Sequence, residues 1–207
     1  MIPVVGLVGF IGSGKGTAGD ILCEHGYIKE SFAKGVKDVA SEMFGWPRGM
    51  LEGDTDDSRQ WRETPDLFWS EKFGKDFTPR KALQLMGTEV GRDIFHQDFW
   101  VFQMENRLRF HDNPIVVTDV RFPNEIDWIH SVGGKVFEVQ RGRIPALYKF
   151  LTATHPNRDE ESRWRFMSDY DIHFSEWAWV GCKTDGTIKN DGSIEDLTNL
   201  LNLVIID

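Results

Sequence analysis

Close to the amino terminus runs Gly9-Phe10-Ile11-Gly12-Ser13-Gly14-Lys15-Gly16-Thr17, which fits GxxxxGK with an apolar run before it and helical periodicity after it. Glycines there let successive backbone N–H groups curl around phosphate oxygens. The helix that follows points its positive end at them, and Lys15 adds a point charge near the bridge between the last two phosphates. The pattern implies that Gly12, Ser13, Gly14, Lys15, Gly16 and Thr17 hold the phosphates of ATP. Position 16 is glycine, so the hydroxyl that often follows the lysine stands one place later, and Thr17 becomes the candidate on the magnesium side.

Pro114-Ile115-Val116-Val117-Thr118-Asp119 is an apolar run ending in an acid, the pattern of a buried parallel strand that delivers a carboxylate to the edge where ligands bind. Asp119 is thereby a candidate magnesium ligand, directly or through water. Val120-Arg121-Phe122-Pro123-Asn124-Glu125 follows, with Pro123 suited to the first turn of a helix carrying Ile126 and Ile129. Arg121 then stands in a strand-to-helix loop beside the phosphates. Transfer of a phosphoryl group to an acceptor that is itself a phosphate needs no strong base, since two anions must instead be brought together. A bidentate guanidinium does that by clamping the acceptor and spreading the transition-state charge. A surface ion pair between Arg121 and Glu125 is the other use of these side chains.

Thr78-Pro79 opens a third candidate element, with Thr as N-cap, Pro at the first position and Ala82, Leu85, Met86 and Val90 along an apolar face. The other face gathers Arg80, Gln84, Gly87, Thr88 and Gly91, with Lys81 beside them. Glycine inside a helix costs about 1 kcal/mol against alanine, so two of them point to close packing or to a ligand. Trp100, in the run Phe99-Trp100-Val101-Phe102, offers an indole on which a base could stack or which the core could bury.

Local patterns define the elements that must position these groups. A strand is predicted over Ile2–Val8, a helix after Lys15 through Ala18, Ile21 and Leu22 to Gly26, and a helix over Ser31–Gly45. That last helix would bury Phe32, Val36, Val39, Ala40 and Met43 and leave Lys34 and Lys37 outward. Another strand is expected over Lys135–Gln140, and a final helix after the Asn190-Asp191-Gly192 turn, started by Ser193 and Asp196. Glu52–Arg62 and His155–Arg165, dense in charge, read as mobile surface loops. The flap after Gln140 carries Arg141, Arg158, Arg163 and Arg165, cations suited to closing over a triphosphate and excluding water.

With 207 residues, 40% hydrophobic and 28% charged, the chain can bury one core, and no apolar run reaches the roughly 18 residues of a membrane span. A net charge of −9 argues against non-specific nucleic-acid binding. Cys23 and Cys182 form no metal or disulfide pattern and read as packing residues in a reducing compartment. The apolar start lacks a basic leader, which points to a cytoplasmic protein. The histidines show no metal-ligand spacing, although His155 and His173 could lie near the site.

GFIGSGKGT, TPRKALQLMGTEVGRD, VVTDVRFPNE, HFSEW and IKNDGSIEDL together resemble the phage deoxynucleoside monophosphate kinases, over most of the chain. The resemblance implies an α/β P-loop NTPase three-layer fold, a central parallel sheet flanked by helices, with a helical acceptor-binding insertion and a lid. In one domain, the core would occupy about 1–30, 96–140 and 170–207, the insertion 31–95 and the lid 141–169. It implies transfer of the ATP γ-phosphate, with Mg2+, to a deoxynucleoside monophosphate. Arg80, Lys81, Gln84, Gly87, Thr88, Trp100, Asp119, Arg121 and Glu125 would form the acceptor site, and Lys15, Arg80, Asp119 and Arg121 the catalytic group. Some members carry Asp where this chain has Gly16, so a carboxylate at that position is not carried over. The implied location is the host cytoplasm, without nucleic-acid or membrane partners, and a homodimer stays open. The competing readings are a P-loop kinase for another small acceptor, such as dephospho-coenzyme A or a metabolite hydroxyl, and a regulatory nucleotide binder. No NKxD-type guanine-reading motif is present.

Overall fold

Val4–Val8 forms strand β1, buried at all five positions as a strand covered on both faces must be. It is joined by β2 (Ile28–Glu30), β3 (Ile115–Val117), β4 (Lys135–Gln140) and β5 (Gly186–Lys189) in a fully parallel sheet of order β2-β3-β1-β4-β5. The helices in chain order are α1 (Lys15–Glu24), α2 (Lys34–Phe44), α3 (Asp56–Glu63), α4 (Leu67–Phe73), α5 (Pro79–Leu85), α6 (Phe99–Leu108), α7 (Pro123–Ser131) and α8 (Ile194–Leu201). The computed structural model describes residues 3–143, 151, 167, 170 and 172–206. The chain divides into two compact units, Met1–Ser31 with Leu108–Asp207, and Phe32–Arg107.

The first unit is a three-layer α/β fold. Val5 and Leu7 of β1 pack with Ala18, Leu22, Val116 and Leu197, in a core between the sheet and the helices α1 and α8. Alternate residues of a strand face opposite ways. The intervening Gly6 accordingly faces Ile129 of α7, which covers β1 and β4 from the other side. Cys23 and Tyr27 pack against the first core, and both cysteines are free thiols. Each strand ends on the edge that carries the glycine loop, Ser31, Asp119, Arg121, Arg141 and Asn190, the edge where open parallel sheets bind ligands.

The second unit is helical and built on aromatic side chains. Phe44 stacks on Trp46 with ring centroids 4.4 Å apart, and Trp69 and Phe77 close around them. Two indoles of the cluster spend their N–H groups: the buried Trp46 donates to Asp66 Oδ2 at 2.8 Å and the half-buried Trp69 to the Phe44 carbonyl at 3.0 Å. Three sequence expectations are corrected here. Glu52–Arg62 is not a loop, because Thr55 and Ser58 form a capping box that starts α3, and Trp61 ties that helix to the cluster. In α2 the inward row is Val36, Ala40 and Phe44, four residues apart, so Val39 and Met43 are exposed. Lys37 folds down to a salt bridge with Glu52 at 2.5 Å, and Arg48 binds the same carboxylate. Burial alone would raise the Glu52 carboxyl, but these two cations hold it below its usual range. Finally, the helix opened by Thr78 and Pro79 widens at Met86 into π geometry that runs to Phe95, and Val90 rotates off the apolar face to 40% exposure.

Candidate active site

The glycine loop links the buried β1 to α1, whose N-cap Gly14 has φ 99°, a left-handed value that glycine adopts without strain. Lys15 Nζ reaches back along the loop, donating to the carbonyls of Gly9 at 2.6 Å and Phe10 at 3.0 Å. Burial brings the Lys15 ammonium down from its ordinary value to about 8; the Arg121 charge adds to that, while Glu176 and Asp119 oppose it. Gly16 and Thr17 are exposed on the first turn of α1, and Ser13 is buried. A cleft of about 240 Å³ lies against the loop, lined by Phe10 to Ser13 and by Val139, Gln140, Arg141 and Arg143. Arg141 thus lies beside the loop, whereas Arg158, Arg163 and Arg165, with His155, fall outside the described residues.

Asp119 and Arg121 follow β3 on the same edge. Ser31 Oγ donates to Asp119 Oδ2 at 2.7 Å, fixing the carboxylate that the sequence offered to a cation. Glu125, 2% exposed, accepts on its Oε2 the backbone N–H groups of Arg121 at 2.7 Å and Phe122 at 3.1 Å. It caps α7 and sets the loop that presents Arg121. The Arg121 guanidinium is 42% exposed and donates to Glu176 Oε1 at 2.7 Å. Burial works against the Arg121 charge, yet Glu176, Asp119 and Glu125 raise its pKa above the usual value.

Glu176 is the residue that reading the sequence for chemistry passed over. It lies in the HFSEW segment, where only the resemblance drew attention. His173 caps a short 3-10 turn over Phe174–Glu176. Phe174 packs on Phe122 and Trp177, with Trp177 1% exposed, so the turn is anchored on apolar rings and holds its carboxylate toward Arg121. The anchoring rings were visible as aromatic residues; their pairing with the loop after β3 spans some fifty residues of chain and has no local signature.

In the helical unit the predicted residues lie along α5 and its π extension. Thr78 Oγ1 accepts the Lys81 N–H at 3.1 Å, which caps the helix as expected. Arg80 Nε is 3.3 Å from Glu63 of α3, Lys81 is exposed, and Gln84, Gly87 and Thr88 are half-buried. Trp100 is 8% exposed and committed to packing: its N–H donates to the Gly87 carbonyl at 2.7 Å, and a Cβ on Gly91 would stand 2.5 Å from the indole. Gly91 therefore makes room for this ring, and the indole supports the π segment through the Gly87 carbonyl.

No family model matches the chain. It is 35% identical over 184 residues to an Acanthamoeba polyphaga mimivirus protein named as a deoxynucleotide monophosphate kinase, covering 82% of this chain and 86% of that one. It is 30% identical over 211 residues to the deoxynucleoside-5'-monophosphate kinase of Escherichia phage T5, covering 76% and 84%. Among solved structures, TT1252 from Thermus thermophilus aligns over 99% of this chain and 97% of its own at 17% identity, with a TM-score of 0.46. Two viral kinases thus match across most of a chain whose glycine loop, acid and arginine share one sheet edge, and the chain belongs to the deoxynucleoside monophosphate kinase family.

Proposed function

We propose that the protein transfers the γ-phosphate of ATP to a deoxynucleoside monophosphate, giving the diphosphate and ADP. The observation that carries this reading is the gathering of Lys15, Asp119 and Arg121 around one end of the parallel sheet, in a chain whose relatives bear that activity in their names. Gly12 to Thr17 bind the triphosphate through loop N–H groups, and Lys15 moves from the carbonyls of Gly9 and Phe10 to the phosphates. In the helical unit Arg80, Lys81, Gln84 and Thr88 are the acceptor-binding residues of this reading, and on the sheet edge Arg121 clamps the acceptor phosphate. Gly87, Gly91 and Trp100 shape the helix that presents the first four.

Thr17 and Asp119 are hard oxygen donors, which suits Mg2+, a cation that commonly takes one or two protein oxygens and completes its shell with phosphates and water. When bound, the ion would neutralise charge on the transferred group. Arg121 supplies the fixed positive charge for the transition state, Glu176 orients its guanidinium, and Glu125 fixes its backbone. No base is required, because the attacking oxygen belongs to a phosphate already ionised near neutral pH.

Release of ADP from ATP-magnesium, measured with each deoxy- and ribonucleoside monophosphate in turn at matched concentration, tests the reading. Acceleration by deoxynucleotides is expected and would rank the bases. ATP binding without acceleration by any monophosphate would overturn it in favour of another acceptor or a regulatory binder.

A further inference from the structure

The turn after β5 reaches the glycine loop across 177 residues of chain. Asn190 is 8% exposed, and its Nδ2 donates to the carbonyl of Ser13 at 2.9 Å. The assignment of the amide is unambiguous in chemical terms, since a carbonyl can only accept. Asn190 is itself fixed: its backbone N–H donates to the Gln140 carbonyl at 2.8 Å, and Asp191 Oδ1 accepts the Gly142 N–H at 2.5 Å. The ends of β4 and β5 are thus tied together beneath the side chain.

A trans peptide points its C=O and N–H in opposite directions. Pulling the Ser13 oxygen toward Asn190 therefore turns the N–H of Gly14 away from Asn190. The N-cap of α1 is Gly14, which has no side chain of its own to hold this peptide. Gly14 is constrained by the same contact, because a Cβ there would lie 2.1 Å from Asn190 Nδ2. The absence of a side chain at Gly14 thus has a partner far away in sequence.

We infer that Asn190 is a positioning residue for triphosphate binding: its amide locks the Ser13–Gly14 peptide so that the Gly14 N–H is already aimed at the incoming phosphates. The inference rests on the reading of Gly12 to Thr17 as the ATP site and is independent of the acceptor. An aspartate at the same place would set an oxygen against the Ser13 carbonyl and favour the flipped peptide, and an alanine would leave the peptide unguided.

The test is calorimetric titration of ATP-magnesium into wild type, Asn190→Asp and Asn190→Ala, with a deoxynucleoside monophosphate titrated separately and thermal unfolding recorded. ATP affinity should fall at least tenfold in the aspartate variant and severalfold in the alanine variant. Monophosphate affinity and the unfolding midpoint should stay near wild type, and in turnover KM for ATP should rise more than kcat falls. Wild-type ATP affinity in both variants would overturn the inference. So would equal loss of both ligands together with a lowered unfolding midpoint, which would mark the contact as structural only. If the aspartate variant does not fold, the alanine variant decides alone. A wild-type protein that binds ATP in an Asn190-dependent way but is stimulated by no monophosphate would contradict the acceptor reading and leave this one standing.

Discussion

The two units hold their charged groups under different constraints. On the sheet edge of the first, Lys15 is bonded to two carbonyls, Asp119 to Ser31, Arg121 to Glu176 and the Arg121 backbone to Glu125, so these three charged side chains are held by fixed partners. On the second, Arg80 Nε lies 3.3 Å from the exposed Glu63, Lys81 is exposed, and the helix carrying them changes winding at Met86. Such a difference is what phosphoryl transfer between two anions asks for. The donor and the transition-state charge need groups held in place before substrate arrives, whereas recognition of an acceptor tolerates groups that settle when it binds. Lost function should accordingly appear in kcat when Arg121 is removed and in KM for the monophosphate when Arg80 is.

The largest effect should come from Arg121→Ala. Turnover should drop on the order of 10²–10³-fold with KM for ATP little changed and the fold intact by circular dichroism. Near-wild-type turnover would remove Arg121 from the chemistry. Arg80→Ala should instead raise KM for the monophosphate about tenfold or more while saturating turnover changes little. A pure kcat loss there would erase the contrast between the units.

Lys15 gives the comparison a pH axis. In the free protein its ammonium, lowered by burial, loses its proton as pH rises through about 8. Phosphate binding needs the charged form, so kcat/KM for ATP should be level below that pH and fall above it. Bound phosphates favour the ammonium, so kcat should fall only at higher pH. Lys15→Arg, which stays charged, should remove the alkaline fall in a kcat/KM profile; persistence of the fall would assign it to another group.

A smaller effect, on stability, is expected from Gly91→Ala. The added methyl meets the buried Trp100 indole, and forcing it in should cost about 1–3 kcal/mol in denaturant unfolding. Unchanged stability would mean that the π segment yields easily and that the Trp100 contact is not what holds it.

Much of the first unit was legible because its chemistry is written in contiguous residues. The loop, the strand ending at Asp119 and the proline-started helix after Arg121 each carry a local pattern, and the family resemblance rested on the same segments. Glu176 and Asn190 were not assigned roles, since an ion pair and a buried amide bond to residues far away in sequence leave no periodicity to read. In the second unit the capping signals at Thr78 and Pro79 held, yet the helix face drawn from a 3.6-residue period failed beyond Met86, where the winding changes. The exposed Val39 and Met43 show a second failure, of hydrophobicity as a guide to direction, since an aromatic cluster pulled the row of Val36, Ala40 and Phe44 inward. Charge density misled at Glu52–Arg62, where a capping box and Trp61 outweigh the polar composition.

Direct transfer from ATP to a monophosphate is tested by following the phosphoryl group itself. ATP labelled on the γ-phosphate is mixed with magnesium, the protein and a deoxynucleoside monophosphate, and the products are separated within a few turnovers. The label should appear in the deoxynucleoside diphosphate, with little in inorganic phosphate, and Arg121→Ala should slow its appearance on the order of 10²–10³-fold. Label released only as inorganic phosphate, or none in any diphosphate while ATP is bound, would contradict direct transfer.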